Sequence, residues 1–208
     1  MARRARQAAP AGDRRHRRGA HWRTSVATPR MRRIITIHDP DASILRRRSR
    51  PAPRVTREIR ALIREMLETM YASNGVGLAA PQVGVPLRVI VADIGKGPLV
   101  LVNPRIVRRS GEQVGPEGCL SIPGVAGIVK RARRIVVTGQ TQNGRKKTLI
   151  AEDLLARVIL HEVDHLNGVL FIDRVEGGML YTVEREEKAA RPMSASLPLG
   201  VMGDDGAV

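Results

Sequence analysis

With 208 residues, a formal net charge of +16, one cysteine and four aromatic residues, the chain is long enough for one domain with a sizeable core and too short for two plus tails. The lone Cys119 excludes an intramolecular disulfide and points to a reducing compartment. No run approaches the roughly 18 consecutive apolar residues of a membrane helix, and the N-terminus lacks the apolar segment of a signal peptide, so a cytoplasmic protein with no membrane partner is expected.

Residues 1–30 hold nine arginines and one aspartate, half of the chain's basic excess, and almost no large apolar residue. Such a leader cannot bury enough surface to order itself. It reads as a basic disordered leader, or as the product of a start assigned too early, with translation beginning at Met31 where the chain turns apolar. Clustered arginines also neutralise phosphates, so the leader is a candidate contact with the ribosome. Arginine outnumbers lysine 31 to 5, the bias of GC-rich coding.

From Val55 to Met70 the apolar residues Val55, Ile59, Leu62, Ile63, Met66, Leu67 and Met70 recur at helical spacing, with Thr56 as N-cap and Asn74-Gly75 as the stop. A glycine-rich stretch, Gly75 to Gly84, follows. Runs at Leu87 to Ala92 and Leu99 to Val102 read as strands, and Ile135 to Thr141 pairs across Asn143-Gly144 with Lys147 to Ile150 as a hairpin. A second helix is expected from Asp153 to Leu166, ended by Gly168. Beyond Glu184 the chain loses all period, and residues 184–208 read as a disordered tail. The domain itself spans 31–183.

The second helix carries His161-Glu162-Val163-Asp164-His165. Two imidazoles four residues apart lie about 400° around the helix, nearly on one side and one turn apart, so both can bind one ion. Glu162, about 100° away from His161, reaches a water at that ion and is the natural general base. A catalytic ion with an open position wants a third protein ligand. The three-histidine pattern HExxHxxGxxH matches through Gly168 but places Phe171 where its last histidine should be. Glu184, 19 residues after His165, has the separation used by a glutamate-liganded protease class. Cys119, in Glu117-Gly118-Cys119-Leu120-Ser121, is the competing third ligand.

Three motifs then stand in order without a mismatch: Gly75 to Gln82 (Gly-x-Gly-Leu-Ala-Ala-x-Gln), Glu117 to Ser121 (Glu-Gly-Cys-Leu-Ser) and His161 to His165 (His-Glu-x-Asp-His). In these the sequence resembles the peptide deformylases, over roughly residues 33–180. The resemblance implies an α+β fold with antiparallel strands packed around a central metal-binding HExxH helix. It implies hydrolysis of the N-formyl group from the formylmethionine of nascent polypeptides, releasing formate. Cys119, His161 and His165 would hold one divalent ion, Fe(II) foremost, with Zn, Ni or Co able to take the same site. Glu162 would move the proton, and the Gln82 side-chain amide with the Leu120 backbone N–H would stabilise the oxyanion. Gly75, Val76, Gly77, Glu117, Gly118, Leu154 and Val158 are the expected substrate contacts, Val76, Leu154 and Val158 as the apolar pocket for the methionine side chain. Whether Glu117 braces the metal site, and whether Asp164 orients a ligand, is not settled by spacing. Leu160 departs from the glutamine found in many members of the family.

Overall fold

The computed structural model describes residues 31–183, with the side chains of 176–179 left aside. The two segments expected to be disordered, 1–30 and 184–208, lie outside the described residues, as does Glu184.

Helix α1 (Arg57–Ala72) begins at Thr56, whose side chain accepts a hydrogen bond from the Ile59 backbone N–H at 3.4 Å. It buries Ile59, Leu62, Ile63, Met66, Thr69 and Met70, the face read from the spacing. It ends where Asn74 takes a positive φ of 53° and Gly75 N–H closes on the Met70 carbonyl.

The strands form two antiparallel sheets. The larger has the order β1 (Gly77–Ala79), β2 (Val89–Ala92), β3 (Leu99–Ser110), β6 (Arg134–Gln140), β7 (Lys146–Glu152). The smaller has β4 (Gln113–Cys119), β5 (Ile122–Arg131) and β8 (Val175–Thr182) in that order. The expected hairpin is β6–β7, in register with Gly139 opposite Lys147 and Val137 opposite Leu149.

Helix α2 (Asp153–Leu166) has every residue from Ala156 to Leu166 buried. Its apolar residues Ala156, Ile159, Leu160, Val163 and Leu166 pack on the larger sheet, and the two-residue alternation of β2 explains how that sheet receives them. Val89 and Val91 pack with α1, whereas Ile90 packs with Ile159, Leu160 and Val163 of α2. The larger sheet is therefore covered on both faces, which is why all four residues of β2 are buried. A third apolar cluster of Ile35, Leu45, Ile122, Val129, Leu170 and Phe171 joins the N-terminal segment to the smaller sheet. No helix among the described residues is long and apolar enough to cross a membrane.

Two differences from the sequence reading have a physical cause. Strand β3 continues eight residues past Val102, through an irregularity between Val102 and Arg105. There Asn103 takes a φ of 54° and exchanges two 2.8 Å hydrogen bonds with the Ala52 backbone, so the side chain of a turn-forming residue secures a bulge rather than ending the strand. Strands β4, β5 and β8, rich in glycine and charge, owe their conformation to pairing with one another, not to an alternating pattern.

Candidate metal centre

The three motifs, dispersed over some 90 residues of chain, meet at one point. The Gly-rich stretch becomes β1 and a single 3-10 turn (Ala80–Val83) that presents Gln82. Cys119 ends β4 at a tight reversal, where it pairs with Ile122. His161, Glu162 and His165 come from α2. The N-terminal segment ties the first two together, since the Ile35 N–H bonds to the Gln82 carbonyl and the Ile37 N–H to the Ser121 carbonyl.

One donor atom from each of Cys119, His161 and His165 lies within 4.8 Å of the other two, and Cys119 Sγ stands 3.2 Å from His165 Nε2. His161 turns its Nδ1 to Glu117 Oε2 at 3.0 Å, leaving Nε2 for the cluster. A thiolate and two buried imidazoles converging in this way fit Fe(II), Zn, Ni or Co alike. Phe171, the residue that replaces a third histidine in the longer pattern, is buried and stacks on the His161 ring at a centroid distance of 6.2 Å.

Beneath His161 lies a network of buried charge. Glu117 accepts hydrogen bonds from Arg131 Nε and Nη2 at 2.9 and 2.8 Å and from Arg157 Nη1 at 2.8 Å. Arg131 also bonds Asp164, which takes a two-pronged contact from Arg174 at 2.7 Å on each oxygen. Glu117 thus lines the cavity as expected, but both its oxygens are engaged: it is a brace on His161, with none left over for a substrate. Asp164 braces Arg131 and touches no ligand directly. A metal-ligating imidazole held by a carboxylate through its second nitrogen is the usual way its tautomer and ring plane are set.

Burial and neighbouring charges shift the ionisable groups of the cluster in different directions. Burial works against ionisation of Glu117, yet hydrogen bonds from Arg131 and His161 outweigh it and hold the carboxyl at about 2. Burial likewise opposes charge on His161, but hydrogen bonds to Cys119 and Glu117 raise it to about 10. His165, buried and facing a charged His161, is pushed well below its ordinary value. Of the two imidazoles, His161 is thus favoured in its charged form and His165 in its neutral form. Burial lifts the Glu162 carboxyl to about 7, and its Oε2 has no hydrogen-bond partner among the described residues.

A cavity of about 340 Å³ opens over the cluster and is lined by Gly75, Val76, Gly77, Gln82, Gly118, Leu120, Leu154, Val158 and Glu162 among others. Val158 is buried at its wall, whereas Val76 and Leu154 are half-exposed at its rim. Gln82 Oε1 accepts the Ala79 N–H at 2.8 Å, which turns Nε2 toward Cys119 Sγ at 3.6 Å and Ser121 Oγ at 3.2 Å. Sequence reasoning missed Arg131, Arg157 and Arg174, and also Ile122, Val125 and Ala126 of the cavity wall. The one signal available was Arg157, four residues before His161 and eight before His165, a charge in the otherwise apolar run from Leu154 to Leu160.

A family model described as polypeptide deformylase matches residues 31–179. The chain is 50% identical over 145 residues to a peptide deformylase of Caldanaerobacter subterraneus subsp. tengcongensis, covering 70% of this chain and 89% of that protein. It is 48% identical over 155 residues to one of Dictyoglomus thermophilum, covering 74% and 99%. Among solved structures, the peptide deformylase of Synechococcus elongatus in complex with actinonin aligns with a TM-score of 0.67 at 47% identity, over 73% of this chain and 81% of that one. That of Thermotoga maritima aligns with a TM-score of 0.67 at 43% identity, over 70% and 98%.

Proposed function

Because this chain belongs to the polypeptide deformylase family, we propose that Cys119, His161 and His165 hold its divalent ion and that Glu162 is its proton shuttle. The reaction is metal-dependent hydrolysis of the N-formyl group from the formylmethionine of newly made polypeptides, with release of formate. The observation that carries the assignment of residues is the convergence of one thiol and two imidazoles beside a buried, unpartnered carboxylate oxygen.

When bound, the ion supplies Lewis acidity, polarising the formyl carbonyl and making water more acidic. Glu162 takes the proton of the attacking water as the new C–O bond forms. It passes that proton to the nitrogen as the C–N bond breaks, so formate and a free amino terminus leave. Its carboxyl, raised toward neutrality by burial, is matched to both halves of this task. The Gln82 amide and the Leu120 N–H donate to the oxyanion, and the Ala79 bond to Gln82 Oε1 supports this by fixing which end of the amide faces the site. Val76, Leu154 and Val158 receive the methionine side chain, joined by Ile122 and Ala126. Gly75, Gly77 and Gly118 let the peptide backbone approach.

Fe(II) is the ion we assign, from the resemblance; the donor set itself takes Zn, Ni or Co as well. The test is formate release from a formyl-Met peptide by anaerobically purified protein, with metal analysis of the same sample. One ion per chain and activity are expected, and inactivity at full occupancy would overturn the reading. The Arg-rich leader is proposed to contact the ribosome; deletion of residues 1–30 should then weaken cosedimentation with ribosomes at low salt, and unchanged cosedimentation would remove the idea.

A further inference from the structure

Away from the cavity, four stretches of chain come together beyond the C-terminal end of α2: residues 46–55, 86–88, 102–105 and 138–147. The Arg50 N–H bonds to the Pro86 carbonyl and the Arg88 N–H to the Arg50 carbonyl. The Asn103 N–H bonds to the Arg88 carbonyl, and Ser49 N–H to that of Leu166. Thr138 faces Arg105 across β3 and β6, and a β-carbon added at Gly144 in the β6–β7 turn would sit 3.7 Å from Val55. These stretches carry ten arginines and lysines and no aspartate or glutamate.

Acids from elsewhere neutralise little of this charge. Arg46 pairs with Asp173. Arg47, Arg50, Arg54, Arg105, Arg145 and Lys146 are exposed and have no carboxylate within ion-pair distance among the described residues. Arg88, partly buried, is held only by neutral oxygens, those of Leu166, Asn167 and Pro104. Burial, and then the charge of Arg48, lower its pKa. Like charges held together without counter-charge are destabilising unless an anion joins them.

We propose that this face is a docking surface for the phosphate backbone of double-stranded RNA. Guanidinium groups match phosphate in two-pronged contacts, which a surface this rich in arginine supplies. The four stretches contain no aromatic residue. That removes the stacking platform on which single-stranded nucleic acid is bound and the aromatic anchors of a membrane-surface helix. The choice of RNA over other polyanions rests on the reading that the substrate is a nascent chain. The face lies at the Leu166 end of α2, about 18 Å along the helix from Leu154 at the cavity rim, so an RNA seated there leaves the cavity open.

The test is an anisotropy titration of a fluorescein-labelled 20-base-pair RNA duplex with the full, metal-loaded chain across a potassium chloride series. The triple variant R47E/R50E/K146E is compared with R33E/R64E/K96E, which changes net charge equally at exposed positions off this face. The first variant should weaken binding at least ~10-fold at 100 mM salt and lower the salt slope by about 2, the second less than ~3-fold. Both should release formate from a short formyl-Met peptide at the wild-type rate, so failure of the RNA result is separate from failure of the hydrolase reading. Equal weakening in the two variants would assign the effect to net charge or the leader and overturn the proposal. Binding to vesicles of 20% anionic lipid with none to RNA would overturn it as well.

Discussion

A β-carbon on Gly77 would run into Glu162 Oε1 and come within 2.8 Å of Val158 Cγ1. The glycine is thus a spacer that lets Glu162, the proposed general base, occupy its position beside the cluster. Gly77→Ala should lower kcat/KM about 100-fold with the metal retained, since a displacement of the order of 1 Å in a reacting group costs that much; steady-state kinetics with metal analysis check it. Cys119→Ala removes the one thiolate, and its expected outcome is loss of bound metal with the fold preserved. Retention of a full equivalent of metal in that variant would remove Cys119 from the ligand set. Glu117, Asp164 and Cys119 also show how far single residues were legible. The cysteine was picked out by its motif, whereas the two acids had several roles open, because a carboxylate's role depends on which cations fold against it, and the arginines that do so lie 10 to 40 residues away in the chain.

At the level of elements, α2 owes its placement to two features. One is its C-terminal stop. Gly168 takes a φ of 75°, its N–H and that of Val169 cap the carbonyls of His165 and Asp164, and a β-carbon there would meet the Arg46 carbonyl group. Gly168→Ala should cost more than about 2 kcal/mol, from left-handed backbone strain and backbone overlap together, read from the urea midpoint. The other is Arg131, shared by Glu117 of β4 and Asp164 of α2 with 4% of its side chain exposed. Arg131→Met leaves two carboxylates buried without their common partner and should destabilise by about 3–5 kcal/mol. The same measurement with Arg174→Met, whose guanidinium is half-exposed, should give a markedly smaller loss.

For the whole molecule, the buried network makes stability depend on acid. Glu117 in the folded chain ionises with a pKa of about 2, below its ordinary value of 4.5, so the folded state binds its proton more weakly than the unfolded state does. Its contribution is present above pH about 4.5 and lost as the pH falls toward 2, on the order of 3 kcal/mol across that window. Asp173 is shifted in the same direction, burial being outweighed by hydrogen bonds from Arg46 and the Leu170 N–H. Urea unfolding of the protein between pH 6 and 2.5 should show the midpoint falling most steeply below pH 4.5, and a flat midpoint there would contradict the network.

By itself the sequence determined what is local: the buried face of α1 and its Thr56 cap, the His-Glu-x-x-His spacing on α2, the β6–β7 hairpin around Asn143-Gly144, and three motifs whose order names a family. These follow from periodicities of 3.6 and 2 and from turn chemistry, which act within a few residues. Tertiary structure alone decided how Cys119 and Gln82 come to His161, which cations neutralise Glu117 and Asp164, and that four basic stretches share one face. Each of those depends on contacts between distant segments, where the hydrophobic packing of α2 on the larger sheet brings charges together that no local pattern pairs.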